Sequence, residues 1–280
     1  MGLFLQVFTV LVITVSLQGW VPLGCLEEER IALLHLKDSL NYPNGTSLPS
    51  WIKADAHCCD WESIGCNSST GRVTELDLWS VRNEELGDWY LNASLFLPFQ
   101  QLNALSLYGN RIAGWVENKG GYELQKLSNL EILDLGYNSF NNSILSFVEG
   151  LPSLKSLYLD YNRLEGLIDL KGPNNLRTLS LYNITTYGSS FQLLQSLGAF
   201  PNLTTLYLSS NDFRGRILGD GLQNLSSLEE LYLDGCSLDE HSLQSLGALH
   251  SLKNLSLREL NGTVPSGGKL INFNSTITYH

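Results

Sequence analysis

The sequence predicts an α/β solenoid, a curved stack of short parallel strands closed at its N-terminal end by a cysteine-rich helical cap. Three observations carry that prediction. A segment of the form L-x-x-L-x-L recurs eight times between residues 73 and 257, at intervals of 22 to 29 residues, and self-similarity at such a period marks a repeat architecture. Four of the five cysteines, Cys25, Cys58, Cys59 and Cys66, precede the first copy. The 280-residue chain opens on an apolar run from Leu3 to Leu17 that gives way to small and turn-forming residues, as in a secretory leader.

Residues 1–24 are accordingly expected to be a signal peptide. Gln6, Thr9, Thr14, Ser16 and Gln18 interrupt the run and leave little for a membrane-spanning helix of ~20 predominantly apolar residues. Residues 25–72 are expected to form the cap, because the first repeat of a solenoid exposes an apolar end that something must cover. Within "CLEEERIALLHLKDSL", Ile31, Leu33, Leu34, Leu36 and Leu40 fall on a helix whose first turn holds Glu27, Glu28 and Glu29, where the helix dipole favours negative charge. Four cysteines allow three pairings. A bridge between adjacent Cys58 and Cys59 would strain both bridge and peptide, which leaves two.

Residues 73–265 hold about eight repeats, among them "VTELDL" from Val73, "LNALSLYGNRI" from Leu102, "LKSLYLDYNRL" from Leu154 and "LEELYLDGCSL" from Leu228. This is the leucine-rich-repeat signature. Alternate side chains of each strand face inward, so pairs such as Leu105 and Leu107 enter one continuous core as strands stack ~4.8 Å apart. Eight residues after the opening Leu stand Asn110, Asn138, Asn162 and Asn211, whose amides can satisfy turn backbone groups inside the stack. Cys236 holds the same position and reads as a buried substitute. Val81, Ile184 and Leu260 depart from the pattern. Residues 266–280 read as a polar tail without a closing cap.

Cys25 with "EEERIALLHLKDSL", then Trp51, Cys58-Cys59-Asp60-Trp61, Cys66 and "TGRVTELDL" resemble the N-terminal ectodomain of plant leucine-rich-repeat receptor-like proteins. Ser63 departs from that pattern, which favours Gly there. The resemblance implies pairing of Cys25 with Cys58 and of Cys59 with Cys66, and it favours disulfides over a zinc site in a secreted chain. It also implies an extracellular or outer plasma-membrane location, a peptide, protein or small-hormone ligand bound on the concave face in defence or developmental signalling, and a co-receptor kinase where a longer membrane-anchored form exists. Such proteins carry further repeats, a membrane helix and a short tail, so truncation is the expected relation of this chain to them.

The net charge of −11, from 17 Lys+Arg against 28 Asp+Glu, argues against nucleic acid or an anionic membrane as partner. The five histidines have no metal-ligand spacing, and no nucleophile elbow, phosphate loop or dinucleotide fingerprint occurs. The expectation is a non-enzyme without cofactor or metal. Ten Asn-x-Ser/Thr sequons fit a secretory route: Asn44, Asn67, Asn92, Asn141, Asn183, Asn202, Asn224, Asn254, Asn261 and Asn274. The pleat turns Trp79, Tyr108, Asp134, Tyr158, Asp160, Tyr182, Tyr207, Tyr232 and Asp234 toward the concave face. Tyr and Trp dominate binding hot spots, and the carboxylates favour a basic ligand. A glycan on Asn254 would crowd one end of that face. A secreted inhibitor similar to polygalacturonase-inhibiting proteins is the alternative function, and a non-functional fragment a third.

Overall fold

A computed structural model describes residues 24–116, 124–148, 150–164, 175–184, 197–214, 224–238 and 246–260, single positions 218, 222, 242 and 243, and the strand 276–278. Residues 1–23 of the expected signal peptide 1–24 and the sequons at Asn261 and Asn274 lie outside the described residues.

The cap begins with helix α1 (Glu27–Asn41), which buries Leu33, Leu36 and Leu40 completely, the spacing of one helix face. Ile31, on the same helix, is 42% exposed, because two residues before Leu33 the helix has turned by about 200°. Glu29 is fully buried. Its carboxylate accepts from Arg72 Nε at 2.8 Å and from the backbone N–H groups of Leu26 at 3.2 Å and Val73 at 3.3 Å. A buried charge needs such partners, and here they fasten the start of the helix to the first strand of the sheet.

Disulfides join Cys25 to Cys58 and Cys59 to Cys66, the pairing that the resemblance implies. The first ties the helix start to a single 3-10 turn at Cys58–Asp60. The second ends on β1 (Ile64–Cys66), which pairs antiparallel with β2 (Val73–Asp77). Between them the Trp51 and Trp61 rings stack with centroids 5.9 Å apart, and their indole N–H groups donate to the Glu62 carbonyl and the Asp55 carboxylate. Ser63 adopts φ 65°. That left-handed conformation favours glycine, which gives the family's preference at this site a backbone cause.

From β2 onward every neighbour in the main sheet is parallel: β4 (Ala104–Ser106), β6 (Ile132–Asp134), β7 (Ser156–Tyr158), β8 (Thr178–Ser180), β9 (Thr205–Tyr207), β10 (Glu230–Tyr232) and β11 (Asn254–Ser256). A further strand, β12 (Thr276–Thr278), pairs with β11 and carries the sheet one rung past the eighth repeat. The second leucines of the repeats, Leu76, Leu105, Leu133, Leu157, Leu179, Leu206, Leu231 and Leu255, lie in register across the sheet. All eight are buried, each stabilising the stack by roughly 1.5–3 kcal/mol. On another flank β3 (Trp89–Leu91) and β5 (Ile112–Trp115) form a two-stranded parallel sheet between the first two repeats, while helix α2 (Ser143–Val148) follows β6.

The predicted asparagines form a buried ladder. Asn162 Nδ2 donates to the carbonyls of Leu135 (2.8 Å), Leu159 (3.1 Å) and Asp160 (3.2 Å), and its Oδ1 accepts from Phe140 N–H at 2.9 Å. Asn110, Asn138 and Asn211 repeat the arrangement. Cys236 is fully buried with Sγ 3.2 Å from the Leu208 carbonyl, and burial pushes its thiol up to about 12. It fills the asparagine slot with a weak donor and is not a reactive thiolate. Where the pattern lapses, Val81 and Ile184 bury apolar side chains instead.

The residue just before each ladder position has positive φ in all eight repeats: Ser80, Gly109, Tyr137, Tyr161, Asn183, Ser210, Gly235 and Glu259. For the first seven, the N–H donates to a carbonyl of the following repeat, from Ser80 to Tyr108 through to Gly235 to Arg258. The sheet's ladder of backbone bonds therefore continues around the turn.

Candidate ligand-recognition site

The predicted side chains occupy two outward positions, one at the last residue of a strand and one two residues beyond it. The last strand residues include Asp134, Tyr158, Tyr207 and Tyr232, all half-buried. Tyr207 and Tyr232 stack with centroids 4.5 Å apart and planes at 13°. Two residues beyond the strands stand Trp79, Tyr108, Asp160, Tyr182 and Asp234. Trp79, 64% exposed, begins a continuous aromatic row. Its ring centroid lies 6.2 Å from Tyr108, which stacks at 5.7 Å on Tyr137, followed by Tyr161 at 5.2 Å and Tyr182 at 5.1 Å. Gly136 makes room for this, since a Cβ there would come within 2.8 Å of the Tyr108 ring. Tyr182 ends the row with its hydroxyl accepting from Ser210 Oγ at 2.8 Å.

The three predicted aspartates play different parts. Asp160 accepts from Ser180 Oγ at 2.5 Å and Tyr182 N–H at 2.8 Å, and Asp234 from Ser256 Oγ at 2.6 Å and Arg258 N–H at 2.8 Å. Both carboxylates clasp the next repeat, which takes up acceptor capacity that sequence reasoning assigned to a ligand. Asp134 accepts only the N–H of its own Gly136, at 2.9 Å, among the described residues. It is the carboxylate of the three with most left to offer.

Burial raises the carboxyl of Asp134 above the usual aspartate range, and the charges of Asp160 and Asp77 add to the effect against the Gly136 hydrogen bond. Burial raises Asp160 as well. Burial, and after it the charge of Asp134, lifts the Tyr108 hydroxyl above ordinary phenols. An acid whose pKa is higher folded than unfolded makes the folded state bind its proton more tightly, so its ionised form costs stability at neutral pH. That cost is relieved as pH falls through the raised value toward ~3.9, the ordinary aspartate figure. Asp134→Asn keeps an acceptor for Gly136 and removes the charge. Thermal unfolding of the variant is expected at a modestly higher temperature than wild type at pH 7, with the gap closing on acidification; a gap that widens instead would contradict this account.

Sequence reasoning missed four residues of this region. Tyr137 and Tyr161 belong to the left-handed turn column, at φ 54° and 52°, where bulky side chains are outliers and each carries strain of order 1–3 kcal/mol. The signal was present as an anomaly, because the other repeats mostly place small or turn-forming residues there. Arg111 and Arg163 follow the ladder asparagines and hold Asp88 between them. Of the sequons, Asn44, Asn67, Asn141, Asn202 and Asn224 are exposed, while Asn92, Asn183 and Asn254 are half-buried. Among the described residues no group of three or more His, Cys, Asp or Glu could hold a metal ion, and no helix is long and apolar enough to cross a membrane.

Residues 26–67 match the family described as Leucine rich repeat N-terminal domain, and residues 129–151, 202–225 and 227–249 match Leucine Rich Repeat. The chain thus carries a leucine-rich-repeat N-terminal segment and leucine-rich repeats. Among curated relatives of this leucine-rich-repeat chain, Receptor-like protein 9a of Arabidopsis thaliana is 38% identical over 178 residues, 63% of this chain and 18% of the relative. The chain thus spans under a fifth of that relative's length. Among solved structures, the ectodomain of the Arabidopsis receptor kinase HAESA, in complex with an N-terminally extended IDA peptide hormone, aligns with TM-score 0.58 and 27% identity over 91% of this chain and 42% of that one. A second HAESA structure, with IDA and the co-receptor SERK1, aligns with TM-score 0.58 and 27% identity over 84% of this chain and 38% of that one. In its fold the arc is similar to these plant receptor ectodomains.

Proposed function

We propose that the chain recognises an extracellular peptide or protein on its concave face, between the strands of Trp79 and Tyr232, without catalysing a reaction. The outward aromatic surface with Asp134 at its centre carries this reading: large side chains of low conformational freedom bury much area on binding, and a half-buried carboxylate with spare acceptor capacity suits a basic side chain. Relatives of this kind support a role in plant signalling for defence or development, at the extracellular side of the plasma membrane. The HAESA complex with SERK1 supports a co-receptor kinase as the second partner.

The test is to pan a random heptapeptide display library against the immobilised chain. Enriched peptides are expected to carry Lys or Arg and to lose ~tenfold or more in affinity when Tyr158→Ala or Tyr207→Ala is introduced, the scale of a hot-spot truncation. Enriched peptides that bind both variants as tightly as wild type would remove the concave face from consideration.

A further inference from the structure

Beyond the strand ends, on the turn side of the aromatic row, lies a cavity of about 410 Å³ walled by Arg111, Tyr137, Tyr161, Arg163 and Asn183, among others. Two guanidinium groups meeting there run against the acidity of a chain with 17 Lys+Arg and 28 Asp+Glu. They come from different repeats and converge on one carboxylate. Arg163 Nη1 lies 2.7 Å from Asp88 Oδ2, and Ser139 Oγ donates to Asp88 Oδ1 at 2.9 Å. Arg111 Nη2 stands 3.6 Å from the same Oδ1, beyond hydrogen-bond reach. Its side chain is 44% exposed, so its donors are open to an incoming group.

Two further facts point to a ligand. Asp88, reaching in from the first repeat, shows that Arg163 and Ser139 form a cradle that takes a carboxylate. Tyr137 and Tyr161 set two aromatic rings on the left-handed turn column that Ser, Gly, Asn and Glu occupy in the other repeats, and both rings wall the cavity beside the arginines. Tyr137 remains 54% exposed, leaving ring surface for a flat partner.

We propose that this edge cavity is an anion subsite that takes a carboxylate carried beside an aromatic ring, the carboxylate on Arg111 and the ring against Tyr137, with Asp88 as an internal competitor for the arginines. It rests on the recognition reading for its purpose, yet it sits apart from Tyr158 and Tyr207, so the two can fail separately. The same chemistry could arrive as a free aromatic acid or as an acidic residue next to an aromatic one in a peptide.

The chain as secreted, freed of N-glycans, would be titrated calorimetrically with four probes: phenylacetate, its neutral analogue phenylacetamide, and the end-blocked dipeptides Asp-Tyr and Asn-Tyr. At least one acidic probe is expected to bind saturably and ~tenfold or more tighter than its neutral partner, the scale of one charge-assisted contact. Tighter binding of phenylacetate would name the free acid as source, and tighter binding of Asp-Tyr the peptide. Arg111→Gln should abolish the preference for the acid, and Asp88→Ala, which vacates the cradle, should tighten it. Arg163→Gln serves in place of Arg111→Gln if that variant's melting curve differs from wild type. Neutral probes binding as well as acids, an unchanged preference in the arginine variant, or no saturable binding to wild type and Asp88→Ala alike would each overturn the proposal.

Discussion

Asn162→Leu is expected to destabilise the solenoid by roughly 3–5 kcal/mol, because each buried group left without a partner costs ~1–3 kcal/mol. The substitution orphans the Phe140 N–H and weakens the bonding of the Leu135, Leu159 and Asp160 carbonyls. Leu matches the branching of Asn and is larger, so the loss would report polar satisfaction together with some overpacking, and not a cavity. The manner of failure is as informative as its size. In a stack where each repeat touches only its neighbours, the break should open repeats around the fourth first, leaving the cap protected. Hydrogen exchange followed by mass spectrometry would read this as early exchange centred on residues 154–164; uniform loss of protection along the chain would show a more cooperative array than argued here.

Replacing both Cys25 and Cys58 by Ser is expected to cost about 4 kcal/mol, the chain-entropy figure for a loop of this size, the two residues being 33 apart in sequence. The Cys59–Cys66 bridge closes a loop of only 7 residues' separation and should matter less, at ~2.5 kcal/mol on the same relation. Chemical denaturation of the two double variants would rank them. Should the shorter bridge prove the more costly, the cap's stability would lie in the β1–β2 pairing and not in the tether of α1.

The fold was legible because its determinants are local and repeated. Leu105, Leu133 and Leu157 lie side by side because the same spacing recurs with each turn, and Asn110, Asn138 and Asn162 share one task for the same reason. Cys236 could be assigned to that task by position alone. The candidate site was legible only in part. Alternation along a strand points Tyr158 and Tyr207 outward, but it says nothing of which neighbour claims a carboxylate, and Asp160 is claimed by Ser180 and Tyr182 of the next repeat. The pairing of Arg111 with Arg163 around Asp88 depends on outer loops of three repeats that no short-range pattern relates.

The left-handed column beside the asparagine ladder has one more consequence. In its first seven positions the backbone N–H supplies the bond that knits one repeat to the next, and serine, glycine, tyrosine and asparagine all occupy it. The bond that joins the repeats is therefore independent of side-chain identity, so a substitution that tolerates the left-handed backbone can change the surface there while that backbone bond is kept.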